Sequence, residues 1–219
     1  MTRKDVRRTP ALKVWKYSLS SVSGLLVILL YCTFTLTSWA LYPLEYSPFS
    51  NFLSRLGDYG YSPLGAYFYN AGCILTGIAL VPFFIGLLSI HGLNLIQRGV
   101  AAAGQVLGVF SGIALMLIGI YSEDQGTPHL IASSIFFDLN FIVLLTISLS
   151  LLVHGRQGVL VSIYGFTIAF SSLVFVISFE SPLVEWYTVF SSLGYVGLIA
   201  WLSQRLVFPP QSESMETVL

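Results

Sequence analysis

The sequence predicts an all-α polytopic membrane protein, a bundle of six transmembrane helices with an amphipathic first outer loop. Three observations predict it. Hydrophobic residues make up 55% of the 219 and charged residues only 9%, with a mean hydropathy of +0.81. A soluble domain of this size needs more charge to cover its surface. Six apolar runs reach the roughly 20 residues that a helix needs to cross a bilayer. They lie near 17–41, 64–90, 99–121, 129–153, 158–180 and 183–206. Finally, with these spans nine of the ten Lys and Arg fall on one side. The chain therefore divides into a basic N-terminus (1–16), the six-helix domain (17–206) and a polar tail (207–219) expected to be disordered.

Orientation follows from the basic residues. Arg3, Lys4, Arg7, Arg8, Lys13 and Lys16 precede the first span, and Arg98, Arg156 and Arg205 lie at later connections on the same side. Arg55 alone is opposite. The positive-inside rule then places both termini in the cytoplasm, with the cell membrane as the expected location. The first span reads as an uncleaved signal-anchor. Its apolar core exceeds a signal-peptide h-region, and Trp39 and Tyr42 suit an interfacial belt. Cys32 and Cys73 sit in apolar stretches and read as buried free thiols.

The outer connections carry most of the remaining signals. Ser62-Pro63, Thr127-Pro128 and Ser181-Pro182 each offer a hydroxyl N-cap followed by a proline at the first helical position. In "SPFSNFLSRLGDYG" a capped helix is expected from Ser47-Pro48, with Phe49, Phe52, Leu53 and Leu56 as its apolar stripe. Gly57 is expected to end it in a left-handed C-cap. Glu45, Asp58, Glu123, Asp124, Glu180 and Glu185 gather on this same outer side.

The fourth span is the most polar in its outer half. At about 100° per residue, His129, Ser133 and Asn140 share one stripe, while Asp138 falls about 180° from His129. Two separate polar flanks are thus expected, with Asp138 and Asn140 as buried polar groups inside the bundle. A carboxylate at that depth costs about 3 kcal/mol without a partner, and no Lys or Arg lies within reach in the spans. It is expected either to hydrogen-bond a neighbouring span or to line a wet cavity.

The block "NFLSRLGDYGYSPLGAYFYNAG" and the later "GIYSEDQGTPHLIASSIFF" resemble the six-span DRAM/Sfk/Frag-like membrane proteins, and their prokaryotic relatives of unknown function more closely. The matching positions are Ser54, Leu56, Gly57, Asn70, His129, Ala132, Phe136 and Phe137. Where many relatives have an Asp after the loop serine, this chain has Arg55. The resemblance implies the fold and topology, a loose link to lipid handling and no agreed reaction.

The residues point to a polar outer-leaflet pocket for a lipid or anionic headgroup, built from Ser54, Arg55, Asp58, Asn70, Glu123, Asp124, His129 and Ser133. Arg55 beside helix N-termini suits an anion, unless a salt bridge to Asp58 or Glu123 takes up its charge. Two alternatives stay open. One is a lipid-modifying enzyme with His129 and a nearby carboxylate, Asp58 or Glu123, as acid and base. The other is a small proton-coupled transporter using Asp138. No metal-ligand spacing is present, since His91 and His154 lie on the far side from His129, and no cofactor is expected. The expected partner is membrane lipid. A homo-oligomer stays open, and nucleic acid is excluded by the lack of any basic stripe.

Overall fold

The computed structural model describes residues 12–14, 16–87, 94–178 and 181–208. The greater part of the N-terminus and all of the tail beyond Phe208, together with His91 and Glu180, lie outside the described residues. A two-stranded antiparallel turn, β1 (Lys13–Val14) with β2 (Tyr17–Ser18), leads into the bundle. The helices are α1 (Leu19–Ala40), α2 (Gly65–Gly86), α3 (Leu95–Ile120), α4 (Thr127–Leu151), α5 (Gly155–Ser178) and α6 (Pro182–Val207). Short 3-10 helices occupy Leu53–Gly57 and Glu123–Gln125. All six long helices are long and apolar enough to cross a membrane, so the chain is a multi-pass membrane protein.

Each helix packs on its neighbour in sequence, and α6 returns to α1. Hydroxyls close that last seam. Ser20 Oγ and Ser203 Oγ are 2.6 Å apart, and Ser21 Oγ donates to the Ala200 carbonyl at 2.6 Å. The amide of Ser18 donates to Gln204 Oε1 at 3.0 Å. Both ends of the bundle chain therefore meet at one face, here termed the terminal end. The opposite face carries the first loop and is termed the loop end. Among the described residues, Arg55 is the one Lys or Arg at the loop end.

Packing is closest where side chains are smallest. A Cβ at Gly77 of α2 would lie 2.5 Å from the Gly112 carbonyl oxygen of α3. A Cβ at Gly119 would overlap the Asn70 carbonyl oxygen. Lipid tails are as apolar as leucine, so close van der Waals contact of this kind holds membrane helices together. Around it Val27, Tyr31, Cys73, Phe83, Ile147 and Ile199 are buried. Both cysteines are free.

Helix starts follow the expected caps only in part. Ser181 does cap α6, accepting the Leu183 amide at 3.3 Å with Pro182 at the first position. Ser62 does not cap α2, which begins at Gly65 after Leu64, and Ser62 Oγ is buried without a partner. Thr127 is inside α4, whose cap position is Gly126 at φ +68°. α3 starts four residues earlier than expected because Asn94 and Gln97 form a reciprocal capping box.

The first loop departs most from expectation. No α-helix runs from Pro48. Residues 47–51 form a single turn, and the 3-10 helix Leu53–Gly57 follows. The expected stripe splits. Leu53 and Leu56 are fully buried, whereas Phe49 and Phe52 are exposed at 76% and 46%. Gly57 is not left-handed, since the positive-φ glycines are Gly126 and Gly155. It is required instead by close approach, because a Cβ there would lie 2.5 Å from Asn70 Oδ1 and 2.8 Å from the Tyr69 ring.

Candidate functional site

Side chains from three helices pin the backbone of that loop over the bundle. Ser38 Oγ donates to the Leu56 carbonyl at 3.2 Å, and Asn70 Nδ2 donates to the Gly57 carbonyl at 3.0 Å. Trp186 Nε1 donates to the Asn51 carbonyl at 3.3 Å, while Glu185 Oε2 accepts the Leu53 amide at 2.8 Å. Beneath lies an aromatic pad, with the Trp39 and Trp186 centroids 5.4 Å apart and Trp186 stacked on Phe190. A loop so anchored is a fixed cover.

Under its edge, between α4, α5 and α6, is a cavity of about 1060 Å³. Its loop-end rim holds Ser54, Arg55, Glu123, His129 and Glu185. Its walls are mainly apolar, with Phe137, Phe141, Leu144, Leu173, Val176 and Val184 prominent. Several wall residues, among them Leu130, Ile142 and Leu173, are themselves exposed. The cavity is thus a groove open along the side of the bundle. It exists because α5 packs less closely on α4 and α6 than the first four helices pack on one another.

Rim chemistry is set by internal pairing. Arg55 Nε lies 3.4 Å from Glu123 Oε1, and its guanidinium sits 4.2 Å above the Tyr61 ring. Of the two acids considered for Arg55, the structure pairs it with Glu123. The charge is then neutralised within the rim, and cation–π contact adds to its hold. His129 is buried, and its Nδ1 is 2.7 Å from the Tyr121 carbonyl oxygen. A carbonyl can only accept, so Nδ1 carries a proton there. In the neutral ring Nε2 is then an acceptor, and no described residue hydrogen-bonds it.

Burial pushes the Glu123 carboxyl above the ordinary glutamate range, while Arg55 and the Ser54 hydroxyl pull it back. A raised carboxyl holds its proton more readily folded than unfolded. Its contribution therefore favours the fold at low pH and fades as pH climbs from the ordinary value through the raised one. Arg55→Met should remove the main opposing pull. The melting temperature of that variant is expected to fall more steeply with rising pH than that of the wild type. Superimposable profiles from thermal scans across this range would count against the pairing.

Of the residues expected in one pocket, Ser54, Arg55, Glu123, His129 and Ser133 share the cavity, and Asp58, Asn70 and Asp124 do not. Asp58 turns onto its own loop, with Oδ1 accepting the amides of Gly60 at 2.7 Å and Tyr61 at 3.3 Å. Asn70 is spent on Gly57. Asp124 is exposed on the short 3-10 helix Glu123–Gln125.

Asp138, expected as a buried polar group, is exposed on the cavity wall. Asn140 is half-buried and donates from Nδ2 to Ser192 Oγ at 3.1 Å. The two polar flanks of α4 belong to one cavity, because its wall takes in an arc of about 200° around the helix, with Asn140 and Asp138 towards its opposite edges. Residues missed by sequence reasoning are Ser172 of α5 and Thr188 and Glu185 of α6. Only Glu185 left a signal, as an acid one turn into a proline-started helix. Among the described residues, no three His, Cys, Asp or Glu side chains gather to hold a metal ion.

Residues 25–204 match the family model described as "Protein of unknown function (DUF998)". That match spans most of the chain. The chain belongs to the DUF998 family. No curated protein and no solved structure is matched by it. The matched segment includes the first loop, the rim and every wall of the cavity, so the site lies within the family's own fold.

Proposed function

We propose that this DUF998 protein binds a membrane amphiphile in the groove between α4, α5 and α6, with its polar groups against the rim and the polar side chains of the wall and its chain along the apolar walls. The observation that carries this is the distribution of polarity in the cavity. Its charged rim is at the loop end, its walls are mainly apolar, and it is open at the side, where lipid surrounds the bundle. A volume of about 1060 Å³ is at the upper end for small-molecule sites and accommodates a long chain. The distribution of Lys and Arg supports a loop end facing outward and termini in the cytoplasm of a cell-membrane protein. Kinship with the DRAM/Sfk/Frag-like proteins, suggested by Ser54, Gly57, Asn70 and His129, is part of the same proposal.

The other readings draw less from the geometry. Acid–base catalysis keeps His129 but loses Asp58, whose carboxylate is occupied by backbone amides. A transport path would have to continue from Asn140 towards Gln105. The buried side chains of Phe83, Phe84 and Ile147 lie around that route.

Native mass spectrometry of the purified protein tests the amphiphile reading. Ser133→Trp, which fills the groove below the rim, is expected to lose most of the lipid that co-purifies with the wild type. A wild type that carries no lipid, or a Trp variant that keeps it undiminished, would refute the proposal.

A further inference from the structure

Moving a hydrocarbon chain from bilayer to groove gains little, because both surroundings are apolar. Selection among amphiphiles therefore rests on the polar atoms of the groove. Besides His129, four ionisable side chains line it, namely Arg55, Glu123, Asp138 and Glu185. Arg55 and Glu123 neutralise each other. Glu185 is engaged by the Leu53 amide. Asp138 is different. It has no hydrogen-bond or ion-pair partner among the described residues, and its side chain is exposed on the groove wall.

Its depth makes that state costly. Asp138 is eleven residues into α4, about 16 Å from the loop end of the helix and about 20 Å from its other end. An uncompensated carboxylate near mid-bilayer is strongly disfavoured on insertion scales. The Arg residues of the described spans, Arg98, Arg156 and Arg205, all lie within a turn or so of the terminal end. None can serve as its partner. Asp138 is thus the one carboxyl group of the groove with neither an ion-pair nor a hydrogen-bond partner among the described residues, at a depth that only a ligand entering from the side or rim would reach.

On the reading that the groove holds an amphiphile, we propose that its ligand carries an ammonium group and that Asp138 is the counter-ion. Charge complementarity selects a cation, and the oxygen-bearing side chains lining the groove suit it. Ser133, Ser172 and Thr188 contribute hydroxyl oxygens to the same groove about 7 Å nearer the loop end, where they can meet further polar atoms of the ligand. Ser172 and Thr188 already hydrogen-bond each other across α5 and α6 at 3.0 Å, which fixes that side of the groove. The anionic headgroup expected from Arg55 has no free cation to meet at the rim, since Glu123 and Tyr61 hold the guanidinium.

The test uses the full-length protein in neutral-detergent micelles and three probes with one tail, hexadecylamine, hexadecanol and hexadecyl phosphate. Native mass spectrometry reads the bound fraction of each. The wild type is expected to bind the amine at least tenfold more tightly than the other two. Asp138→Asn should bring that preference close to unity with hexadecanol binding unchanged, and Asp138→Glu should keep most of it. Micelle partitioning is common to all three proteins and cancels in the comparison. If the tails bind but the amine has no preference, or if the preference survives Asp138→Asn, the counter-ion assignment is overturned and amphiphile binding stands. If none of the probes binds the wild type, both fail.

Discussion

Placing a methyl group at Gly77 is expected to destabilise the bundle more than any single change in the groove. The new Cβ would lie 2.5 Å from the Gly112 carbonyl oxygen, 2.6 Å from Met116 Cγ and 3.0 Å from the Met116 amide nitrogen. Two of those three obstacles are backbone, so no rotamer change relieves them and α2 must move away from α3. Overpacking of this kind costs typically 1–3 kcal/mol, and Gly77→Val should exceed Gly77→Ala. The strain would be transmitted to the site. Asn70, which holds the loop at Gly57, lies on α2 two turns from Gly77, and its own carbonyl packs on Gly119. Gly99→Ala supplies the control. It lies on the partner helix α3, but nothing lies within 4 Å of its added Cβ. There the better helix propensity of alanine should be neutral or stabilise by up to about 1 kcal/mol. Unfolding of the three variants and the wild type in detergent, followed by circular dichroism against temperature, separates the cases. A Gly77→Ala protein as stable as the wild type would mean that α2 and α3 are not held at this distance.

The six helices and their alternation were legible from composition and run length, because a bilayer imposes a minimum apolar length that few other structures need. The seam between α2 and α3 was visible only as small-residue content. Which glycines meet backbone depends on crossing geometry that no periodicity encodes. The first loop shows the limit most clearly. Phe49, Phe52, Leu53 and Leu56 have the spacing of a helical stripe, yet Leu53 and Leu56 are buried by Ser38, Asn70 and Glu185 contacts from three distant segments. Those tertiary hydrogen bonds stabilise a 3-10 turn over the α-helix that local pattern favours. Asp58 and Asn70 were expected in the ligand pocket, and the structure places neither on the cavity. Their work is local, and a side chain bonded to its own loop looks the same in sequence as one that faces a ligand. Asp138 lies in the direction expected of it but is exposed rather than buried. A helix wheel gives the direction of a side chain but not how far the neighbouring helix stands off, and α5 leaves a groove wide enough to include both flanks of α4.

Removing the carboxylate of Glu185 is expected to release the loop while the bundle stays folded. Leu53 has no accessible surface, and its amide has Glu185 Oε2 as hydrogen-bond partner at 2.8 Å. Glu185→Ala leaves that donor buried and unsatisfied, at a cost of about 1–3 kcal/mol. The cost falls on a segment joined to the bundle through a few tertiary hydrogen bonds, so it can be relieved by local opening. Trypsin provides the readout, because Arg55 is the one Lys or Arg at the loop end among the described residues. Since 1.4 kcal/mol is a factor of ten in an equilibrium constant, cleavage after Arg55 should accelerate about tenfold or more in the Ala variant. Melting of the helices should shift far less. Glu185→Gln, which retains a carbonyl oxygen as acceptor, should stay close to the wild type. Cleavage of the Ala variant at the wild-type rate would show that the loop is held without Glu185. Because Ser54 and Arg55 reach the rim only while the 3-10 turn is seated, the same variant should also loosen the polar end of the groove. Asp138 on α4 would keep its place, so the rim and the mid-depth carboxylate can be perturbed separately.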